Sequence, residues 1–462
     1  MQKLIAKYGL ASHLAVLAVA PLVLFLFFPP AVGSVVVLWL SLLAVGWVVL
    51  EPSMRAGERL HEARRRVGRT IVRDPIVWVL LAVVLYTALL AANSGIEVGY
   101  DAEHAEWRLL PPVFPILPGS VGGTGFAPFA VAVALFSVIV GCRHSLGRSA
   151  RVAFLLIASA LAGMLGVTMV ALGHLGHLDL AALAEASERL RSFVGMSFAL
   201  YLLCGLVALA GVFERRWNAM AFLLVFSIGG NAVGAFLFAP VHLTVAAFIA
   251  FVVLMVYVLA YSFTLLAASG KFQVFVVLLF SLALGGLLVA ALVPEKVVSE
   301  RIDSVAEWRL FPDGLDVRRE VTARVGREAF LKNLWVGTGL ATYGYDFRFS
   351  AHAEDWALFP RGATAPHLAW WRLLAEQGLV GALVFALPIG FLLFTWIRRL
   401  VGWCQDIELP APACALLPLV LALLVFESIY GCSVLRLDVL VAAGAMMAVS
   451  ALAFPAIKKA KA

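Results

Sequence analysis

A histidine and, upstream of it, four arginines are the side chains of this sequence best suited to chemistry. His367 opens the stretch HLAWWRLLAEQGLVG, residues 367–381. Near neutral pH an imidazole accepts or donates a proton, and as a cation it stabilises a developing negative charge. Guanidinium groups bind phosphate oxygens in pairs. The arginines lie among apolar residues at helical spacing and are Arg318, Arg319, Arg324 and Arg327. Together these residues predict a site for a phosphorylated group.

Both features also have simpler interpretations. Arg324 could pair with Glu320 and Glu328 on a solvated helix face, since surface ion pairs are common. A single histidine at a membrane surface is more often structural, because one residue is not a catalytic constellation. Trp371, close to the histidine, could stack on a sugar or anchor a helix among lipid headgroups, and the second is the more common role.

The elements that must position these residues are strongly apolar. Of the 462 residues, 63% are hydrophobic and 14% are charged, with a mean hydropathy of +0.98, far above the values of soluble domains. Because about 20 apolar residues cross a bilayer as a helix, we predict an all-α polytopic membrane protein with twelve transmembrane helices. Their ranges are 10–28, 32–50, 75–92, 124–142, 152–172, 193–213, 218–238, 244–266, 272–293, 378–397, 412–430 and 438–455. No clear cleavage site follows the first run, so we expect it to be retained.

Basic residues beside the predicted spans indicate the orientation of the chain. If both termini are cytoplasmic, the inner segments contain 20 basic and 7 acidic residues, and the rest of the chain contains 15 and 21. The positive-inside rule therefore predicts cytoplasmic termini. The pI near 9.3 follows from these topology signals, so we expect membrane lipids as partners and no nucleic acid.

The longest predicted outer loop contains both chemical features. It lies between the ninth and tenth spans and divides the chain into residues 1–293, 294–377 and 378–462. The loop is rich in Trp, Phe, Leu and Tyr, which favours an ordered, partly helical subdomain over a disordered connection.

The motifs in this loop resemble those of the O-antigen ligase family, whose members carry an arginine motif and a histidine motif in a large periplasmic loop. Arg327, three residues and Leu331 match the arginine pattern. His367, ten residues and the run Gly378-Leu379-Val380-Gly381 match the histidine pattern. Between them, Gly337 and Gly339 resemble a stretch of paired glycines in the family. In residues the resemblance is confined to about 294–385, and elsewhere it is one of hydropathy.

The resemblance implies a glycosyltransferase of the bacterial inner membrane, with its active site facing the periplasm. It would move a glycan from an undecaprenyl diphosphate carrier onto the hydroxyl of a lipid or glycolipid acceptor, with lipid A-core favoured. Neither a metal nor another cofactor is expected, and a single in-line attack would invert the anomeric carbon. His367, as a base or an electrostatic contact, and Arg327 would be catalytic. The expected diphosphate ligands are Arg318, Arg319, Arg324 and His242, and the expected acceptor-side residues are Asp101, His104 and Trp371.

The chain departs from the family pattern at two positions. Leu368 follows the histidine where relatives carry a small amide or hydroxyl residue. His242 lies at the outer junction of the seventh and eighth helices, where relatives carry an arginine. That phosphate ligand is therefore either replaced by the histidine or supplied by another segment.

Three alternatives remain open. An O-antigen polymerase and a protein O-oligosaccharyltransferase would use the same carrier with another acceptor. A twelve-helix transporter is favoured by Glu427 in the eleventh span, because a membrane-buried carboxylate is costly. However, the chain has no convincing internal repeat. We expect Glu427 to form a structural pair with Arg436.

Overall fold

The computed structural model describes residues 2–27, 30–56, 68, 71–93, 97–101, 106–110, 126–175, 188–266, 268–306, 317–338, 343–359, 369–403, 411–430 and 437–451. Five positions that the sequence singles out, His104, Gly339, His367, Leu368 and Arg436, lie outside these residues. Asp101 is described only in its backbone.

Helices occupy all twelve positions at which the sequence predicts spans. The first nine are α1 (Gln2–Phe27), α2 (Pro30–Ala56), α3 (Pro75–Asn93), α4 (Phe126–His144), α5 (Arg148–His174), α6 (Glu188–Glu214), α7 (Ala221–Phe238), α8 (Val241–Leu265) and α9 (Ala268–Leu292). The remaining three are α14 (Ala369–Trp403), α15 (Leu416–Tyr430) and α16 (Leu437–Ala451). Short 3-10 turns, Asn218–Met220 and Pro412–Ala415, precede α7 and α15.

Six of these helices are long and apolar enough to cross a membrane. They are Arg148–His174, Val194–Glu214, Asn218–Phe238, Val241–Thr264, Ser269–Leu292 and Trp370–Val401. The other apolar helices are shorter within the described residues. The chain is therefore consistent with a polytopic membrane protein.

Glycines and small polar residues hold α5, α6 and α7 together in the core. A Cβ atom on Gly230 of α7 would lie 2.2 Å from the carbonyl oxygen of Gly163 in α5, so only glycine permits this approach. Beside it, the buried side-chain amide of Asn231 donates to the carbonyl oxygens of Ser159 and Ser227, at 2.8 and 2.6 Å. These bonds satisfy the N–H donors of the buried amide, which would otherwise cost free energy in an apolar interior.

A two-stranded antiparallel hairpin follows α3 and was not part of the predicted all-α fold. Strands β1 (Glu97–Asp101) and β2 (Glu106–Leu110) pair with Glu97 opposite Leu110 and Asp101 opposite Glu106. The rest of the described chain is helical or irregular.

The described residues between α9 and α14 form four short helices, which we call the loop subdomain together with the first turns of α14. They are α10 (Glu295–Ala306), α11 (Val317–Lys332), α12 (Tyr343–Ser350) and α13 (Asp355–Leu358). The subdomain has a small apolar core of its own. Its buried members are Val321, Val325, Ala329, Tyr343, Phe347 and Ala375.

A helical segment precedes the predicted start of the tenth apolar span. The sequence places the start of the span at residue 378, whereas α14 starts at Ala369. Gly378 interrupts it with a non-helical backbone (φ 63°, ψ −165°). The first turns of α14 therefore belong to the loop subdomain, and the apolar helix follows the break.

Candidate functional site

Two motif glycines, distant in sequence, meet where the loop subdomain joins the apolar helix. The backbone N–H of Thr338 donates to the carbonyl of Ala375 at 2.9 Å. The N–H groups of Leu379 and Val380 donate to the carbonyls of Leu334 and Trp335, each at 3.0 Å. We call this interlocked pair of segments, residues 334–338 and 375–380, the glycine clasp.

Neither glycine of the clasp can carry a side chain without strain. Gly337 and Gly378 have φ angles of +69° and +63°, a region that glycine tolerates and other residues rarely adopt. A Cβ on Gly378 would lie 2.4 Å from the carbonyl oxygen of Trp335, and one on Gly337 would lie 2.4 Å from the N of Gln377. The clasp therefore fixes the start of α14 against the chain that follows α11.

Helix α11 packs directly against the start of α14. A Cβ on Gly326 would lie 2.8 Å from the Cβ of Trp371, and Val325 and Ala329 share the apolar core with Ala375. Arg327 follows Gly326, and α14 begins two residues after His367. The packing thus brings the arginine motif to the helix that continues the histidine motif.

The arginines of α11 differ in their surroundings. Arg324 forms an ion pair with Asp355, donates to the Nε2 of His352 at 3.0 Å and lies 3.7 Å from Glu328. Of the two pairings expected for a solvated helix face, that with Glu328 is confirmed. Burial raises the pKa of Asp355, but the backbone N–H of His352 and the Arg324 guanidinium lower it by more, so the net shift is downward.

Arg327, in contrast, is exposed, and no carboxylate in the described part of the chain lies within 4.0 Å of its guanidinium. It lies one turn beyond Arg324, whereas Arg318 lies on the opposite side of α11 by helical spacing. Arg327 is therefore accessible, and its charge is not committed to a carboxylate of the described residues.

Two acidic residues are associated with the clasp: Glu376 lies within it, and Asp346 contacts Thr338. Glu376 is 2% exposed, and its Oε2 accepts from the Nε of Arg372 at 3.3 Å. Its Oε1 has no hydrogen-bond partner among the described residues. The Oγ1 of Thr338 donates to the Oδ2 of Asp346 at 2.8 Å. Burial, aided by the charge of Glu376 and opposed by Thr338 and Lys332, raises the pKa of Asp346 to about 6.

This shift predicts a pH dependence of the stability of the loop subdomain. A carboxyl whose folded pKa is raised favours its protonated form in the folded state, so its stabilising contribution is lost as pH rises from 3.8 through about 6. We expect Asp346→Asn, measured by unfolding at a series of pH values, to be more stable than the wild type above pH 6 and to lack this part of the dependence. An unchanged pH profile in the variant would contradict the assignment.

The predicted ligand His242 pairs with Glu427 at the junction of α7 and α8. Its Nε2 lies 2.8 Å from Glu427 Oε2, and both residues are buried. The partner found for Glu427 is therefore His242, whereas the predicted partner, Arg436, lies outside the described residues.

Removing one partner of this pair should destabilise the protein more than removing both. His242→Ala leaves a buried carboxylate uncompensated, which typically costs about 3–5 kcal/mol. We expect the double variant His242→Ala/Glu427→Gln to recover part of that loss in thermal unfolding. A double variant as unstable as the sum of the two single changes would exclude the pairing as the cause.

A buried arginine from the loop subdomain also reaches this junction. Arg301 of α10 is 7% exposed and donates from Nε to the carbonyl of Phe236 at 2.9 Å. Its Nη2 binds the carbonyl of Ala239 and the hydroxyl of Thr244. These oxygens lie at the end of α7 and the start of α8, where a cation complements the negative end of the α7 dipole. Sequence reasoning missed Arg301, because nothing in α10 indicates which of its charged residues turns inward.

An apolar groove runs beside Arg301 between α7, α9 and α10. Its cavity volume is about 640 Å³. Its walls include the small residues Ala232, Gly285 and Gly286, which leave space between the helices. Val298 and Ile302 of α10 also line it, and Ile302 is the chain neighbour of Arg301. Such a groove fits a hydrocarbon chain better than a polar ligand.

The structure brings some of the predicted residues together and separates others. Trp371 contacts Gly326 where α11 packs against α14, and Arg327 is the next residue of α11. Arg324 is paired with Asp355 of α13. His242 lies at the α7–α8 junction, where Arg301 binds the carbonyl of Ala239 and the hydroxyl of Thr244. Asp101 lies at the end of β1. Comparison with protein-family models and with curated proteins finds no match.

Proposed function

We propose that the protein is a membrane glycosyltransferase that moves a glycan from an undecaprenyl diphosphate carrier onto an acceptor hydroxyl, as the resemblance to O-antigen ligases implies. The observation that carries the proposal is the contact of Gly326 with Trp371. This contact holds the exposed Arg327 beside the helix that begins immediately after the His367 segment. The contact supports a proposal in which the arginine motif and the segment that leads into α14 contribute to one surface.

The chemistry follows from charge development. The acceptor oxygen attacks the anomeric carbon, the bond from that carbon to the diphosphate oxygen breaks, and the acceptor proton passes to a base. Arg327 stabilises the charge that grows on the leaving diphosphate, which lowers the barrier because the interaction is strongest in the transition state. Arg324, fixed by Asp355, supports the positive field of α11. His367 is the base or a second contact to the diphosphate, and a single attack inverts the carbon.

In this proposal the chain crosses the membrane twelve times, both termini are cytoplasmic and the loop subdomain lies in the periplasm. The apolar groove between α7 and α9 suits the polyprenyl chain of the carrier, and Ile302, the chain neighbour of Arg301, lines it. We propose that the polyprenyl chain lies there, close to the guanidinium of Arg301. Arg301 occupies the junction at which relatives carry an arginine, so it supports the alternative in which another segment supplies that charge.

The acceptor distinguishes the related enzymes. Lipid A-core is favoured for a ligase, a second carrier-linked glycan for a polymerase, and a protein hydroxyl for an oligosaccharyltransferase. A transporter is less well supported, because Glu427, the residue that favoured it, is paired with His242.

The proposal is tested with the purified protein and a synthetic undecaprenyl diphosphate-linked glycan. We expect transfer to a glycolipid acceptor, with release of undecaprenyl diphosphate, in the presence of a chelator and without nucleotide. A peptide and a second carrier-linked glycan are tested as acceptors in parallel assays. Absence of transfer to any of them, together with movement of the intact donor across proteoliposomes, would replace the enzyme by a transporter.

A further inference from the structure

Large apolar side chains are exposed together where α11 ends and the chain enters the glycine clasp. Leu331, Leu334, Trp335 and Val336 fall within six consecutive positions, and each is between 37% and 67% exposed. Lys332, in the same run, donates from its ammonium group to the hydroxyl of Ser350 at 3.1 Å. Apolar residues exposed singly are ordinary on a water-facing surface, whereas a group of them marks a contact with a partner or a membrane. We call these four apolar residues the apolar ridge.

The clasp joins the apolar ridge to the exposed face of α14. The carbonyls of Leu334 and Trp335 accept from the N–H groups of Leu379 and Val380, each at 3.0 Å. From there α14 carries an exposed apolar stripe at helical spacing, formed by Val380, Leu383, Leu387, Phe394 and Ile397. Because α14 is long and apolar enough to cross a membrane, the stripe is a surface for lipid. The backbone of the ridge is bonded to the upper end of that surface.

The length of α14 gives the depth of the clasp. Residues 378–397 contain no charged side chain, and Arg398 follows them. At about 1.5 Å per residue these twenty residues span about 30 Å, which is the thickness of the hydrocarbon core of a bilayer. With Arg398 at the inner boundary, Gly378 and the carbonyl of Trp335 lie at the outer boundary.

A contact between helices gives a second measure of this depth. The ring of Phe391 on α14 lies 5.8 Å from the guanidinium of Arg143, which pairs with Asp74 directly before α3. This charged pair lies at the edge that the positive-inside rule predicts to be cytoplasmic. Gly378 is 13 residues before Phe391, or about 20 Å along the helix, which is less than the hydrocarbon thickness. Both measures place the clasp at or below the outer hydrocarbon boundary.

The backbone of the clasp is paired as this depth requires. A break in a helix frees N–H groups, and unpaired backbone groups are costly in hydrocarbon. The carbonyls of Leu334 and Trp335 accept from the two N–H groups that follow Gly378, and the N–H of Gly337 donates to the carbonyl of Asn333 at 2.9 Å. The non-helical chain at this point therefore brings its own hydrogen-bond partners.

We propose that the apolar ridge inserts into the outer leaflet of the membrane that α14 crosses and seats the loop subdomain on the lipid surface. Leu331, Leu334 and Val336 contact acyl chains, and the indole of Trp335 lies among the lipid carbonyls, the depth that tryptophan prefers. Arg327, one turn before Leu331 on α11, is then held close to the headgroups. This lipid contact goes beyond the proposed transfer reaction and does not depend on it.

Fluorescence quenching of the full-length protein in phosphatidylcholine nanodiscs tests the insertion. The emission of Trp335 is the difference between the wild type and Trp335→Phe. We expect this emission to be lost with brominated acyl chains and to be protected from aqueous iodide. Trp356→Phe is the matched control, because Trp356 packs edge-to-face on Phe347, with ring centres 5.5 Å apart, inside the same subdomain. Its difference emission should not change with brominated lipid.

Two results of this experiment would overturn the proposal. Quenching of Trp335 by iodide and not by brominated lipid would place the ridge in water. Protection from both quenchers would show that protein covers the ridge, either another segment of this chain or a second copy.

Photolabelling of the wild type provides a readout that does not depend on a variant. Nanodiscs are prepared with phosphatidylcholine that carries a diazirine in its acyl chain, and the labelled peptides are mapped by mass spectrometry. We expect adducts within residues 331–336 as well as at Leu383 and Leu387, which are exposed on the stripe of α14. Adducts on the stripe with none on the ridge would contradict the insertion.

Discussion

Arg327→Ala is expected to lower kcat/KM for glycan transfer by about 10²- to 10³-fold, the usual cost of removing one donor to a developing oxyanion. Arg327 is exposed and has no carboxylate partner among the described residues, so its loss should leave thermal unfolding nearly unchanged. Steady-state transfer from the carrier-linked donor and a melting curve of the same preparation measure both quantities.

A conservative substitution separates the contribution of the charge of Arg327 from that of its planar guanidinium group. Arg327→Lys keeps the charge but loses the planar fork, so we expect an intermediate rate. Lys296→Ala is the matched control, because Lys296 is a basic residue of the same subdomain, 85% exposed and 3.8 Å from Glu300, and should transfer at the wild-type rate. Equal losses in Lys296→Ala and Arg327→Ala would indicate a general charge effect and not a site.

Gly378→Ala is expected to disrupt the clasp and, with it, the site. With φ +63° and ψ −165°, position 378 has a backbone conformation that is essentially restricted to glycine, and forcing an alanine into it costs about 1–3 kcal/mol. Its Cβ would also lie 2.4 Å from the carbonyl of Trp335, and such overpacking typically costs about 1–3 kcal/mol more. Because the clasp positions the start of α14, we expect transfer to fall by about 10²-fold, as small misplacements of catalytic groups do.

Gly390→Ala separates this effect from a general intolerance of α14 to alanine. Gly390 lies on the same helix, and a Cβ there would meet no atom within 4 Å. We expect it to unfold at or slightly above the wild-type temperature, because alanine is the better helix former, and to retain full transfer. Limited proteolysis of the loop subdomain, increased only in Gly378→Ala, locates the disruption. A Gly378→Ala protein with wild-type activity and proteolysis would show that the clasp does not position the site.

Hydropathy predicted the helices of this fold well, because burial of an apolar run depends on the run itself. Helices lie at each of the twelve predicted positions, and the spacing of the motifs had already singled out Gly337 and Gly378. The predicted start of the tenth span, residue 378, coincides with the backbone break at Gly378. The sequence did not predict the helical residues 369–377 before the break or the contact of Gly378 with Trp335.

The features that sequence could not supply are contacts between distant segments. Arg324 with Asp355, His242 with Glu427 and Arg301 with the end of α7 each join residues that no local pattern connects. Likewise, Arg324 and Arg327 look equivalent in the sequence. The structure distinguishes them, because Arg324 forms an ion pair with Asp355, whereas no carboxylate of the described residues lies within 4.0 Å of Arg327. Pairing of β1 with β2 is also a property of the folded chain, since short polar strands give little periodic signal.

The claim that the arginine and histidine motifs form one site is tested most directly by a double-variant cycle on transfer. We measure turnover of the wild type, His367→Ala, Arg327→Ala and the double variant with the same carrier-linked donor. Residues that act as a unit are strongly non-additive, so we expect the double variant to be no slower than the slower single variant. Losses that multiply, or a wild type that does not transfer the glycan at all, would contradict the account.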